Sequence, residues 1–499
     1  MSAPQRPNIL LITTDQQRHD HLGAAGMPGI PTPHLDRLAT EGIRFTRAYC
    51  PSPICTPARV SMLTGLYPSS HGAYTIGVTA DPFPEPTLPD VLGRSGYATS
   101  LFGKSHFVRR ADEAAHVIGR ENPEPEAFRD FHGPYVGFER VATSTGHTIN
   151  ARPDMHYRIF LEDAGVDYAP WFPQMGEHYD HHRVGRWEIP EEYHDTHWVG
   201  ELTCDYIREQ AAAEDGRPWF CWTSFQDPHE PFVCPDPWYG RVNMDGVAPF
   251  PPEKPGEFDD KPAFYREGPG IFKEEAGVPC VYRKPQWMER ADEALRATLG
   301  MVGFIDDRVG RMLAELERTG QADNTIVIFT SDHGEMHGHH GYWGKGLTAY
   351  EDCQRVPLLV WGPRFVQRRG ATDALANLVD LPRTILGWAD TPEPVGLQGA
   401  DLRPICAGEA DSVRDATLIE CRATERTVYQ QTMVTDRHKL VVYRDDDAGE
   451  LYDLKRDPDQ YENLWDRLEH ADLKRDLLLR FARLQMEREG RVAPRKSFA

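Results

Sequence analysis

The chain has 499 residues, more than one simple core accommodates, so two or three domains are expected. Its 77 acidic against 55 basic residues leave a formal net charge of −22, which argues against a general nucleic-acid binder and requires any anion site to be built from local cations. Nine cysteines at irregular spacing, with no C-x-x-C pair, argue against a disulfide framework or a zinc knuckle and fit a reducing compartment.

The opening Met1-Ser2-Ala3-Pro4-Gln5-Arg6-Pro7 runs straight into an apolar segment too short for a signal-peptide core, and no apolar run approaches a membrane span. A cytoplasmic protein without membrane or nucleic-acid partners is the expectation. That first segment, Asn8–Thr14, reads as a fully buried strand of a parallel sheet, closed by Asp15 and Gln16 at its carboxyl end, where ligands of such sheets gather. Thr32 and Pro33 read as the N-cap and first residue of a helix.

The stretch Cys55-Thr56-Pro57-Ala58-Arg59-Val60-Ser61-Met62-Leu63-Thr64-Gly65 places a proline in the first turn of a helix, with Cys55 just before it. A thiol facing unpaired backbone donors and a helix dipole is expected to have a lowered pKa and anionic company. Arg59 follows one helical turn later, its guanidinium within reach of Cys55. A short helix near Thr87–Leu92 and a strand Tyr97–Phe102 come next, and alternation beyond that strand puts Lys104 and His106 on one face.

Residues 109–191 are polar and weakly periodic, and His178, His181, His182, His194 and His197 fit no metal-ligand spacing. Trp198–Ala213 reads as a helix and Trp219–Phe225 as a strand, followed by His229 on a loop stiffened by Pro228 and Pro231. Residues 235–285 are Pro- and Gly-rich, consistent with a long loop over one face. After a long amphipathic helix, Trp287–Arg318, the run Thr325–Ser331 repeats the design of the first strand and ends in Asp332, His333 and Gly334. Lys345 sits between glycines on a loop, Val356–Trp361 is a further strand, and Ala374–Trp388 reads as a helix. Beyond Asp390 the texture changes to strand candidates at hairpin spacing and a charged helix, His470–Glu487. Residues 1–390 are therefore expected to form an α/β domain and residues 391–499 a smaller α+β unit with an antiparallel sheet.

Two distant strands that each end in an acid and a second donor make a set for one hard cation: Asp15, Gln16, Asp332 and His333. Arg59, Lys104, Lys345, His106 and His229 make a group suited to neutralising a tetrahedral oxyanion and moving protons to and from it.

These segments resemble the type I sulfatases: the strand with Asp15-Gln16, the C-T-P-A-R signature with its S-M-L-T-G tail, G-K-S-H-F, P-H-E-P-F, S-D-H-G, the G-K-G lysine and the L-Y-D-L-x-x-D-P tail. The resemblance implies an alkaline-phosphatase-like fold, a mixed and mostly parallel sheet flanked by helices with a smaller C-terminal domain. It implies a formylglycine made from Cys55 by a maturation enzyme, whose hydrate attacks the sulfur of an aryl, carbohydrate or small alkyl sulfate ester. On this pattern Cys55, Asp15, Asp332 and His333 match metal ligands, for calcium first and manganese or magnesium after it. Arg59 steadies the hydrate, Lys104 and Lys345 hold sulfate oxygens, and His106 and His229 transfer protons. Many members carry Asp where this chain has Gln16, so the match is weakest there. The alternative on the same scaffold is a phosphonate monoester hydrolase or phosphodiesterase.

Overall fold

Continuous apolar runs need cover on both faces, and that need sets the architecture. The computed structural model describes residues 6–80, 83–108, 110–119, 124–145, 153–172, 184–248, 250–267, 281–282, 288–422 and 428–488. A nine-stranded sheet is built from β1 (Asn8–Thr14), β2 (Ile43–Tyr49), β3 (Ala98–Lys104), β4 (Arg140–Ser144), β5 (Trp219–Ser224), β6 (Thr325–Ser331), β7 (Arg355–Val356), β8 (Leu358–Trp361) and β9 (Gly370–Asn377). The spatial order is β7-β2-β8-β6-β1-β5-β3-β4, with β9 also paired to β2. Strands β6, β1, β5, β3 and β4 run parallel, and β8 is antiparallel to both its neighbours.

Every residue of β1, β5 and β6 is buried. Alternate side chains feed two separate cores: Ile9, Leu11, Phe220, Trp222, Ile326 and Ile328 on one face, Leu10, Ile12, Cys221, Val327 and Phe329 on the other. The first face is covered by α2 (Cys55–Thr64) and α5 (Leu381–Trp388), the second by α1 (Pro33–Glu41), α3 (Asp195–Ala212) and α4 (Ala291–Arg318).

A second sheet of four antiparallel strands follows, β10 (Ala416–Arg422), β11 (Tyr429–Thr435), β12 (His438–Tyr443) and β13 (Gly449–Asp453), in sequence order. Leu418, Met433, Leu440 and Leu451 pack with Leu477 of α6 (Ala471–Glu487). This sheet is tied to the loop before α2, where the Glu420 N–H donates to the Pro51 carbonyl at 2.8 Å. Among the described residues no helix is long and apolar enough to cross a membrane.

Two local expectations are corrected. The helix expected over Ala374–Trp388 begins only at Leu381, because residues up to Asn377 pair in parallel with β2 and Asn377 and Asp380 then cap the turn reciprocally. Edge pairing outweighs the helix propensity of Ala and Leu. Thr32 precedes α1, but its hydroxyl takes no part in capping and donates instead to Asp36 Oδ1 at 3.0 Å. The cap comes from α4: Asp306 Oδ1 accepts the N–H groups of His34 at 3.1 Å and Leu35 at 2.7 Å.

Burial raises the Asp306 carboxyl to about 7, against the pull of those two N–H groups. The folded chain therefore binds more protons than the unfolded one between the ordinary carboxylate range and pH 7, and stability is lost as pH rises through that window. Asp306→Asn keeps the accepting oxygen and removes the titration. The expected result is a wild-type melting temperature that falls relative to the variant between about pH 4 and pH 7, read by thermal unfolding in matched buffers.

Candidate active site

The parallel register brings three strand ends together. Thr13 pairs with both Ser224 and Thr330, and Thr14 pairs with Ser331, so Asp15, Gln226 and Asp332 leave the sheet side by side. One more rung continues past the strands: Asp15 N–H donates to the Asp227 carbonyl at 3.1 Å and Asp332 N–H to the Thr14 carbonyl at 3.2 Å. The N-terminus of α2 faces this edge, with Cys55 as its first residue and Ile54 as an extended N-cap whose side chain makes no capping hydrogen bond. Gly65 ends the helix at a φ of 71°, a left-handed backbone suited to glycine.

Asp15, Cys55, Asp332 and His333 each offer a ligand atom within 4.8 Å of the others, all buried. His333 Nε2 lies 3.1 Å from Cys55 Sγ and 3.6 Å from both Asp15 Oδ1 and Asp332 Oδ1. Its Nδ1 lies 2.9 Å from the Gly334 carbonyl and carries the proton, which leaves a lone pair on Nε2. Burial, outweighing Asp332, lowers the pKa of this imidazole and keeps it neutral. Burial alone would raise Asp15, yet Lys104 and then His229, Lys345 and Arg59 hold its carboxyl well below the usual range. Two carboxylate oxygens and an imidazole lone pair thus converge, an arrangement that fits a hard divalent cation.

The expectation of an activated thiol is reversed. Burial, followed by the charge of Asp15, pushes the Cys55 thiol up to about 11. The helix dipole is outweighed by desolvation and an adjacent carboxylate.

Around this group the cations are held from behind. Arg59, fully buried, donates from Nε to Asp332 Oδ2 at 2.8 Å and from Nη1 to Ser224 Oγ at 2.8 Å and the Lys104 carbonyl at 3.1 Å. Its Nη2 lies 4.0 Å from Asp15 Oδ2 and makes no hydrogen bond among the described residues. Lys104 Nζ pairs with Asp15 Oδ2. Lys345 Nζ donates to Gln16 Oε1 and faces His229 Nε2. His229 Nδ1 lies 2.6 Å from the Glu230 carbonyl, so its proton sits there and Nε2 is an acceptor. Burial and then Lys345 lower its pKa well below the ordinary value.

β3 stops at Lys104, and His106 adopts a left-handed backbone with φ 53°. Among the described residues neither ring nitrogen of His106 has a hydrogen-bond partner, and burial, then Lys104 and Arg59, hold its pKa well down. Gln16 also has positive φ, 65°, and its Nε2 donates to Glu230 and Glu335. Ser224, Glu230 and Glu335 were not singled out from the sequence. Ser224 ends a buried strand and Glu335 follows S-D-H-G directly, which were the available signals.

Of the His-rich stretch, His178, His181 and His182 lie outside the described residues. His194 is buried beneath the His229 loop with Asp195 and Asp227, its Nδ1 accepting the Thr196 N–H at 3.1 Å as the cap of α3. His197 Nδ1 accepts from Arg308 at 2.9 Å.

The sulfatase family profile matches residues 7–391, and that of the N-sulphoglucosamine sulphohydrolase C-terminal region matches residues 338–487. The chain belongs to the sulfatase family. Its class of enzyme is the sulfuric ester hydrolases. An arylsulfatase of Clostridium perfringens is 29% identical over 481 residues, covering 94% of this chain and 92% of the relative. The crystal structure of a phosphonate monoester hydrolase of Agrobacterium radiobacter aligns with a TM-score of 0.77 at 24% identity, over 97% of this chain and 96% of that one. A further solved structure, of a protein in complex with its substrate D-glucosamine-2-N,6-O-disulfate, aligns with a TM-score of 0.72 at 21% identity, over 97% of this chain and 98% of that one. The fold is alkaline-phosphatase-like.

His333→Ala removes the lone pair on which the cation group closes. The expected outcome is loss of bound divalent metal, from stoichiometric in the wild type to substoichiometric in the variant, read by elemental analysis of the purified protein.

Proposed function

We propose that the protein hydrolyses a sulfate ester through an oxygen nucleophile formed by oxidation of Cys55 to formylglycine, with one divalent cation held by Asp15, Asp332, His333 and the group at position 55. The observation that carries this reading is the position of Cys55: a thiol pushed up to about 11, inside a set of hard donors. A hard cation prefers oxygen ligands, and a protonated thiol is a poor nucleophile. An oxygen at this position satisfies both demands. Calcium is the first choice of metal, with manganese or magnesium as alternatives. The cation would polarise a sulfuryl oxygen, and the hydrated aldehyde would supply the attacking hydroxyl.

The geometry of the side chains supports the remaining roles in this reading. Arg59 Nη2, which lies 4.0 Å from Asp15 Oδ2 and has no hydrogen-bond partner among the described residues, donates to the group at position 55. Lys104 and Lys345 supply the positive charge for the sulfuryl oxygens. His229 is neutral with its one proton given to the Glu230 carbonyl, so the departing alcohol takes its proton from Lys345, with His229 Nε2 orienting that ammonium. His106, neutral and without hydrogen-bond partners among the described residues, is the base that deprotonates the group at position 55 as sulfate leaves. The partners this implies are a formylglycine-generating maturation enzyme and a small-molecule or saccharide sulfate ester. We assign the cytoplasm as compartment, in keeping with eight free, buried cysteines among the described residues.

The second reading, a phosphonate monoester hydrolase or phosphodiesterase, draws on the neutral Gln16 beside the cation group. The kcat/KM ratio for an aryl sulfate against the matching aryl phosphonate separates the two, and preference for the phosphonate by orders of magnitude would select the second. For the nucleophile itself the test is the mass of the Cys55 peptide. Conversion to the aldehyde, at lower mass than the thiol, is expected. A wholly intact thiol in active enzyme would sink the mechanism.

A further inference from the structure

A short polar chain crosses the apolar layer between the large sheet and α2. Alternation along β5 puts Phe220, Trp222 and Ser224 on the α2 side, and the register pairs Thr13 of β1 with Ser224. Trp222 Nε1 donates to Thr13 Oγ1 at 2.9 Å, and the Thr13 hydroxyl donates to Ser224 Oγ at 3.2 Å. Arg59 Nη1 donates to the same Ser224 oxygen at 2.8 Å. All four side chains are fully buried.

The direction of this chain is set by its ends. An indole N–H and a guanidinium can only donate, so Thr13 receives from Trp222 and passes its own proton on, and Ser224 accepts from both sides. The Trp222 ring is held in turn by Phe107, the residue after His106, with ring centroids 5.6 Å apart. Gly103 allows β3 to come close, since a side chain there would run into the Ser224 carbonyl, and this brings the Lys104 carbonyl to Arg59 Nη1 at 3.1 Å. Arg59 Nε is taken by Asp332. Asp332 and the Lys104 segment carry groups of the site itself, whereas the Ser224, Thr13 and Trp222 side chains have no part in the cation group or the proton transfers described above. Three buried polar groups lined up in an apolar layer need a purpose, and the chain they form ends on Arg59.

We propose that Ser224 is a positioning residue: its hydroxyl, held as an acceptor by Thr13 and Trp222, sets the plane of the Arg59 guanidinium so that Nη2 faces the group at position 55. This rests on the role of Arg59 given under Proposed function. A neutral oxygen orients the guanidinium without forming an ion pair, so its charge stays available to the oxygen at position 55. Arg59 acts there on the reacting group and not on the bound ester. Loosening it therefore lowers kcat and leaves KM in place.

The test uses full-length, metal-loaded Ser224→Ala, Ser224→Thr and Thr13→Val, with metal content by elemental analysis, aldehyde content from the mass of the Cys55 peptide, and kcat and KM for an aryl sulfate. All three are expected to keep wild-type metal and aldehyde content. Ser224→Ala is expected to lose about tenfold in kcat with KM within about twofold, and Ser224→Thr, which restores the hydroxyl, to recover most of that loss. Thr13→Val leaves Ser224 to accept from Arg59 and is expected to lose only about threefold. An unchanged kcat in Ser224→Ala would overturn the proposal. So would a loss of metal or aldehyde in that variant, or a Thr13→Val loss as large as that of Ser224→Ala, since either marks a general packing defect. Where Ser224→Ala fails to fold, Ser224→Cys carries the test, because it keeps the shape and replaces the oxygen by a weak acceptor. An intact thiol in active wild-type enzyme is a failure of the functional reading, whereas aldehyde with an unchanged kcat is a failure of the Ser224 role alone. If the wild-type enzyme prefers phosphonates, the same variants measured on an aryl phosphonate decide it.

Discussion

One buried guanidinium holds the site in register. Arg59 is 0% exposed, and stripping a partner from a buried charge of this kind costs about 3–5 kcal/mol. Its contacts reach the ends of three strands: Asp332 after β6, the Lys104 carbonyl of β3 and the Ser224 hydroxyl of β5. Helix α2 can meet those demands in only one orientation, and Cys55 lies one turn earlier on the same helix. Satisfying Arg59 therefore also places position 55 against Asp15 and His333. Every residue of α2 is buried, so the helix has no solvent face. Such a helix needs neighbours on all sides, which the large sheet, α5 and the docking of β10 at Pro51 help provide.

Two effects pull on Cys55, and their sizes decide its chemistry. A helix N-terminus favours a thiolate by about 0.3–1 kcal/mol. Burial and Asp15 move the thiol from its ordinary 9.0 to about 11, and every tenfold loss of acidity corresponds to about 1.4 kcal/mol against the thiolate. Desolvation wins, so sulfur at this position is silent at neutral pH. The same surroundings that silence a thiol suit an uncharged oxygen group, which binds a hard cation and needs its own proton removed only when a base is at hand. His106 and His229 are both held neutral by burial and by the cations beside them, the state that the proton-accepting and ammonium-orienting roles proposed for them require.

Much of this was legible in the order of residue types. A buried strand that ends in an acid reads the same way at Asp15 and at Asp332, and hydrophobic runs of that length gave the core of the sheet. The contacts that arise between distant segments were not legible. Asp306, 274 residues on from Thr32, caps α1 in its place, and no local pattern announces such a partner. Residues 374–377 carry helix formers but complete a strand, because pairing with β2 is decided by an open sheet edge. The thiol of Cys55 was read from its helix position alone, while its titration is set by how much water and which carboxylate surround it. Gln16 leaves the strand with a left-handed backbone and its Oε1 accepts from Lys345 Nζ, a contact between segments 329 residues apart that no local pattern announces.

The protein's overall charge and its site charge have opposite signs, and distance separates them. A formal −22 would repel an anionic ester if it acted at long range, yet salt screens exposed charges beyond about 8 Å at physiological ionic strength. Arg59, Lys104 and Lys345 are 0%, 0% and 3% exposed, so their attraction operates in a poorly screened interior and is felt only once the ester has entered. Steering from afar therefore contributes little, and affinity comes from fit at the bottom of the site. In such a place the direction of each ammonium counts for more than the number of them.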